Sequence, residues 1–354
     1  MDGAYRPMKR GALERVPKAL NLIPTVLQWL WLSLRYGSVT LPSCANPAIT
    51  SGGLVGEGKL EYVAAMGPTA LSACAITTSF INEGPGSVAK GEAVMAEHGL
   101  GFPVILKPDL GWCGFGVRIV RNREELLNYV TRFPVGECIV VQEFLDDAGE
   151  AGLFYVRHPD QPRGRLIGLL LRHFPRVTGD GVHTIAELMA ADARLQRLGS
   201  DGLSEPCCDT ARIPPAGEVC RISTIGSTRV GGLYLDGTEL ITPALTEAVD
   251  AISRDMRDFH VGRFDVKFDR LANLREGRGF KIIEVNGSGA DAVHAFDPVH
   301  SVTEAYGIIF RKQRELFAIS HAMRKRGHKP IGLIGLARLH FRQQRLIDLY
   351  PPSN

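Results

Sequence analysis

The sequence predicts an α+β fold, and two observations predict it. Beyond residue 58, stretches with helical periodicity alternate with short β-branched runs. Two pairs of apolar runs, GLFYVRH with GRLIGLLLRHF and GRFDVKFD with GFKIIEVNG, are joined by turn-forming segments and read as β-hairpins. The composition, 45% hydrophobic and 22% charged with a net charge of +3, is that of an ordinary globular chain and gives no global sign of nucleic-acid binding.

At the start, Arg6, Lys9, Arg10, Arg15 and Lys18 precede the apolar stretch ALNLIPTVLQWLWLSL, residues 19–34. A spanning helix needs about 20 apolar residues. This stretch is shorter, is interrupted by Asn21, Pro24 and Gln28, and is followed by Arg35, so it is not expected to span a bilayer. LPSC at 41–44 has a lipoprotein look, but Pro42 suits a cleavage site poorly, and export is not expected. The stretch is read as an amphipathic helix bearing Trp29 and Trp31, packed on the protein in preference to a membrane surface.

Residues 38–58 are rich in Ser, Pro and Gly and read as loops around a small-molecule pocket. KLEYVAAMGPTALSACAITTSFI mixes helical and extended patterns, and SVAKGEAVMAEHGLGFPVILKP reads as helix, Gly99 stop and strand. VRIV is a strand, REELLNYVTRF a helix with acidic residues in its first turn, and ECIVVQEFL a strand. The first hairpin follows, then GDGVHTIAELMAADARL as loop and helix, while 199–218 carries few periodic signals. TPALTEAVDAISRDMRDF is a helix entered at a Thr-Pro cap, the second hairpin follows it, and the remainder is helical. Residues 311–354 hold ten Lys or Arg against Glu315 and Asp348, which reads as a solvated basic helix face with no assigned partner.

Seven cysteines form no CxxC pair, and the odd count fits a reducing cytoplasm better than a disulfide framework. Cys207 and Cys208 have no further ligand at metal spacing and read as packing residues.

The chemistry is concentrated in two places. KPDLGWCGFGVRIV, residues 107–120, sets a strand-borne lysine before Gly111, Gly114 and Gly116, with neither GxxxxGK[ST] nor GxGxxG present. In the second hairpin, strand alternation puts Arg263, Asp265 and Lys267 on one face, and Ile282, Glu284 and Asn286 on one face of the partner strand. If the apolar faces share a core, Asp265, Glu284 and Asn286 converge as hard oxygen donors suited to Mg²⁺ and a nucleotide's phosphates. Taken alone, the hairpin favours a solvated face with a surface ion pair. Its coincidence with a lysine and glycine segment favours a nucleoside triphosphate site.

FPVILKPDLGWCGFGV, CIVVQEFL, VTGDGVHTIAEL, GRFDVKFD and IIEVNG, in that order over about residues 100–300, resemble the ATP-grasp superfamily, on its D-alanine:D-alanine ligase and cyanophycin synthetase side. NPAITSGGLVGEGK resembles the segment preceding that domain in bacterial carboxylate-amine ligases of undefined substrate. The resemblance implies two lobes of antiparallel-rich sheet with helices clasping ATP, and an N-terminal α/β region on the substrate side. It divides the chain at 1–37 (basic helical segment), 38–98 (α/β region), 99–310 (ATP-grasp domain) and 311–354 (basic tail).

It further implies that Lys107 contacts phosphates, and that Gly111, Gly114 and Gly116 form the covering loop. Gln142, Glu143, Phe144 and Leu145 would contact adenine and Glu150 the ribose. Asp265, Glu284 and Asn286 would hold Mg²⁺ (or Mn²⁺), and Arg263 would stabilise the acyl-transfer transition state. The expected activity is cytoplasmic ATP-dependent carbon–nitrogen ligation of small-molecule carboxylates and amines through an acyl phosphate. The alternatives are an ATP-grasp small-molecule kinase and a non-catalytic nucleotide-binding module. A homodimer is left open.

Two departures stand out. Cys113 occupies a loop position where a basic residue is usual, with Arg118 a substitute source of charge, and Arg172 and His173 replace a lysine before GDG. His173, His183 and His294 are read as structural, and Cys113 as a tolerated small residue in preference to a reactive thiol.

Overall fold

Strand-length alternation of apolar and polar residues resolves into eleven strands among the described residues of this computed structural model, which are 11–146, 149–198 and 204–354. Arg6, Lys9 and Arg10 of the N-terminal basic cluster lie outside them. The fold is α+β, and every strand pair in its sheets is antiparallel.

The first sheet comprises β1 (Thr77–Ile81), β2 (Val104–Pro108), β3 (Arg118–Val120) and β4 (Cys138–Glu143), in the order β1-β4-β2-β3. Val104, Leu106, Ile139 and Val141 point to one face, where the helices Ser87–Glu97 and Arg123–Arg132 cover them. Asn122 caps the second helix by accepting from the Glu125 N–H, and Glu124 and Glu125 complement its positive end. The helix stop expected at Gly99 has the left-handed backbone, φ +66°, that glycine adopts without strain.

The second sheet comprises β5 (Gly149–Val156), β6 (Arg165–His173), β9 (Leu233–Asp236), β10 (Val261–Phe268) and β11 (Phe280–Asn286), in the order β11-β10-β5-β6-β9. Its neighbours β7 (Arg176–Thr178) and β8 (Val219–Arg221) form a small ladder of their own. Both expected hairpins are formed, β5 with β6 and β10 with β11. One face of the five strands is apolar (Leu153, Leu169, Phe264, Val266) and packs under the helix Pro243–Arg254, which Thr242 caps.

The basic tail is not only a solvated face. Its helix Val302–Lys325 runs through the expected boundary at 310/311 and buries Leu316, Phe317 and Ile319. Leu346 and Ile347, at the end of the helix Leu333–Ile347, and Tyr350 just after it enter the core of the first sheet. Hydrophobic content at helical spacing, not net charge, sets where these helices go.

Two buried histidines tie this frame to pH. Burial, reinforced by Arg157, lowers His260 to about 4, and burial likewise lowers His294 to about 4 against the Phe154 ring. The unfolded chain binds these protons near pH 6.5 and the folded chain only near 4, so stability falls as pH drops through that interval. Glu57, which burial raises to about 7, opposes this trend. His260→Gln is therefore expected to flatten the fall in melting temperature between pH 6.5 and 4, as thermal unfolding at a series of pH values will show.

Candidate active site

Strand alternation that sends Leu106 into the core turns Lys107 to the other face of the first sheet, beside Val140 on β4. Its Nζ is almost fully buried and donates to Gln142 Oε1 and to the Ile283 carbonyl of β11, both at 2.9 Å. Burial lowers Lys107 to about 8, with Glu284 and Asp265 resisting the shift and Lys59 adding to it. One lysine thus joins the two sheets.

The glycine segment leaves β2 through Asp109, whose carboxylate accepts from the Leu60 N–H at 2.8 Å and anchors the start of the helix Lys59–Ala64. A Cβ at Gly111 would lie 2.7 Å from Lys59 Nζ, so a larger residue there would displace the end of that lysine side chain. Gly116, at φ +71°, closes the turn where Tyr129 Oη donates to its carbonyl at 2.8 Å. The loop is held down from outside by Gln343 Nε2 on the Gly111 carbonyl and Tyr350 Oη on the Leu110 carbonyl. Arg229 lies 4.1 Å over the Phe115 ring and donates to the Cys113 carbonyl.

Opposite stands the charged face of the second sheet. In the β10–β11 register Asp265 pairs with Glu284 and Arg263 with Asn286, so all four share that face, as the sequence suggests. Ile282 does not. A bulge after Asp265 leaves Ile283 unpaired, so Ile282 pairs with Val266 and joins the apolar core with Val285. Strict alternation holds only without such an insertion, which the sequence does not announce.

Asp265 is fully buried. It accepts from Arg263 Nε at 2.7 Å and Nη2 at 2.8 Å, from Arg172 Nη2 at 3.0 Å and from Asn286 Nδ2 at 3.1 Å. Burial alone would raise its carboxyl, but the Arg172 and Arg263 guanidiniums win and hold it below the usual range. Arg172 also donates to Glu150 at 2.7 Å, and Lys267 lies 3.9 Å from the same carboxylate. Glu284 is more open and faces Lys59 at 3.5 Å.

Along β11, the edge strand of the second sheet, lies a cleft of about 210 Å³, lined on the polar side by Lys59, Lys107, Gln142 and Glu284 and on the apolar side by residues such as Tyr62 and Ile282. Gln142 is buried there and also donates to Thr77 Oγ1 at 2.9 Å. Glu143 pairs with Lys281 at 2.8 Å and its N–H donates to the Ile76 carbonyl, while Phe144 and Leu145 are half-buried beyond the strand.

Arg118 is engaged away from the loop, by Glu205 at 3.0 Å and the Pro352 carbonyl at 2.6 Å. The charge near Cys113 comes instead from Arg263 and Arg229. Crowding by protein atoms pushes the Cys113 thiol up to about 11, with Asp291 adding to the shift and those arginines opposing it, so it is not a thiolate near neutral pH. His183 is exposed and bonded to Asp180, and His294 is buried, so neither faces the cleft as a base.

Sequence reasoning missed Lys59, Glu57 and Lys312. Lys59 and Glu57 belong to the GLVGEGK segment noted for its resemblance, so the signal was there without a role attached. Glu57 Oε2 is buried with no hydrogen-bond partner, and its carboxyl feels both Lys59 and Glu284. Lys312, on the helix Val302–Lys325, donates to the Ser288 carbonyl at 2.6 Å just beyond Asn286.

No family model matches the chain, and no curated protein does. Among solved structures, it is similar to a bifunctional glutathione synthetase from Pasteurella multocida (20% identity, TM-score 0.36), covering 73% of this chain and 36% of that one. It is also similar to a D-alanine–D-alanine ligase from Bacillus anthracis (13% identity, TM-score 0.41; 79% and 72% covered). A third is a carboxyaminoimidazole ribonucleotide synthase from Aspergillus clavatus complexed with ATP (11% identity, TM-score 0.36; 66% and 44% covered). The chain thus spans about a third of the length of the first of these proteins.

Proposed function

We propose that this chain is an ATP-grasp ligase that joins a carboxylate to an amine at the expense of ATP. The observation that carries the reading is that Lys107 of one sheet and Glu284 of the other line one cleft, with Arg263 and Asn286 on the same face of the second sheet as Glu284. Adenine would take the apolar side of the cleft, beside Gln142, Glu143, Phe144 and Leu145. Lys107 uses two of its three donors within the protein and offers the third to a phosphate oxygen. Glu150, bound to Arg172, is the candidate nearest in role to a ribose contact.

Among the described residues, no three His, Cys, Asp or Glu side chains converge as a metal-binding group. The donor types nonetheless suit Mg²⁺ or Mn²⁺ completed by phosphate oxygens and water. Glu284 and the Asn286 amide oxygen would hold it, whereas both Asp265 oxygens are already taken by guanidiniums and the Asn286 amide. When bound, the ion would neutralise charge on the transferring phosphoryl group.

In the reaction, a substrate carboxylate oxygen attacks the γ-phosphorus and the bond to the bridging oxygen breaks, giving an acyl phosphate and ADP. The amine nitrogen then attacks the acyl carbon, phosphate leaves, and a proton is lost from nitrogen. Arg263 would stabilise the oxyanion of that second step. Glu57, raised to about 7 and without a hydrogen-bond partner at Oε2, is the carboxylate suited to accept the proton. The pinned glycine loop would keep water from the acyl phosphate.

A phosphate-release screen over carboxylates and amines tests this. Release that needs ATP, a carboxylate and an amine together is the expected result. ADP formation with a single substrate and no amine would instead indicate a kinase, and ATP binding without ADP formation under any mixture would indicate a binding module.

A further inference from the structure

The helix Lys18–Tyr36 packs the wrong way round for a soluble surface helix. Its inward stripe is Asn21, Thr25, Gln28, Trp29, Leu32 and Tyr36, which is largely polar at the N-terminal end. Asn21 donates to the Leu13 carbonyl at 2.8 Å and accepts from Tyr306 Oη at 2.8 Å, and Gln28 donates to the Phe310 carbonyl at 2.9 Å. Trp29 makes an edge contact with Phe317 and donates to the Val39 carbonyl, so the expected packing is met by this tryptophan. The outward side is apolar: Leu20, Leu22, Ile23, Val26, Leu27, Leu30, Trp31 and Leu34 range from 48% to 83% exposed.

Water gains nothing from such a face, and a contiguous apolar patch of this kind marks an interaction site. Charge identifies the occupant. No Asp or Glu occurs between Glu14 and Glu57, and the helix itself carries only Lys18 and Arg35 as charged residues. Arg35 lies 5.5 Å over the Trp31 ring, an amphipathic pair of the kind found at headgroup depth. Beside the same end, Arg324 donates to the Tyr36 carbonyl, and Lys325 follows it exposed. A protein partner or second copy would ordinarily meet a rim of both signs, whereas an apolar face on a helix that carries no acidic residue, with Arg35 at its C-terminal end, matches an anionic bilayer surface. No helix among the described residues is long and apolar enough to cross a membrane, so this one would lie in the interface plane.

We propose that the outward face of the helix Lys18–Tyr36 docks the protein on the surface of an anionic lipid bilayer, with Leu27, Leu30, Trp31 and Leu34 inserted and Arg35 at the headgroups. This is independent of the proposed activity, whose cleft it does not line. The test is co-sedimentation of the full chain with vesicles of phosphatidylglycerol and phosphatidylcholine in equal parts. The chain is expected to sediment with them, about tenfold less with phosphatidylcholine alone, and about tenfold less when Leu27→Glu and Leu34→Glu are combined. Trp31 emission should shift to the blue on adding the mixed vesicles, a shift that Trp31→Phe removes. Both leucines are exposed, so the double variant should keep its melting temperature and its phosphate release. Absence of sedimentation with the mixed vesicles overturns the proposal. So does a concentration-dependent dimer, broken by the same double variant, in a protein that ignores vesicles; that result would give the face to a second copy.

Discussion

Lys107→Met is expected to lower ATP-dependent phosphate release by about 10³-fold while leaving the melting temperature unchanged or slightly raised. The two halves of this expectation have separate causes. Activity falls because the one cation rising from β2 into the cleft is lost, and a buried donor aimed at developing charge commonly contributes about 10²–10³ or more in rate. Stability does not fall because Lys107 is an unfavourable charge to bury, which is why its ammonium is lowered to about 8. The unfolded chain holds that proton up to about 10.5, so folding gains stability as pH rises from 8 to 10.5. Methionine has a similar length and no charge, so the variant should lack this contribution. The Ile283 carbonyl keeps a donor, because Gln142 Nε2 also reaches it at 3.1 Å. Steady-state phosphate release with thermal unfolding of the same samples checks both halves. A variant that stays active would remove Lys107 from the site, and one that unfolds would make it a structural tie between the sheets.

How much of the fold is legible in the sequence depends on how local the cause is. The strands β2, β4, β5, β6, β10 and β11 and the helices capped by Asn122 and Thr242 were legible, because alternation, caps and glycine stops act within a few residues. The co-facial placement of Asp265, Glu284 and Asn286 was legible for the same reason. The bulge at Ile283 was not, since it depends on how β11 meets β10 and on Lys107 taking its carbonyl from the other sheet.

Nor was the inversion of the helix Lys18–Tyr36 legible: Asn21 and Gln28 look like solvent-facing residues until their partners Tyr306 and Phe310, hundreds of positions away, are in place. Charge counting misread the tail in a similar way. Arg338, Arg342 and Arg345 are conspicuous, but Leu346, Ile347 and Tyr350 decide where the segment goes. From there Pro352, Ser353 and Asn354 cross to the loop. Asn354 Oδ1 accepts from the Ile119 N–H at 3.0 Å, and Arg229 donates to Ser353 Oγ at 2.9 Å.

Asp265→Asn is expected to destabilise the fold by about 3–5 kcal/mol, besides abolishing activity. Hydrogen-bond geometry makes this carboxylate the counter-charge of two buried guanidiniums. Arg172 would retain Glu150, but the hydrogen bonds shown for Arg263 both end on Asp265. An asparagine there would turn amide hydrogens or a neutral oxygen toward a cation with no water to replace the lost charge. A residue whose main task is to bind a metal behaves differently, because removing one carboxylate from an empty metal site relieves repulsion and commonly raises stability. Glu284→Gln supplies that contrast: Glu284 is a third exposed and pairs only loosely with Lys59, so its loss should cost activity and little stability. Chemical denaturation of the two variants, without nucleotide or divalent ion, reads the difference. Combining Asp265→Asn with Arg263→Met should then recover part of the lost stability, since the charge left unpaired is removed with its partner. If Asp265→Asn unfolds at the same denaturant concentration as the parent, the carboxylate is not the anchor of these arginines and its place among the metal ligands is restored.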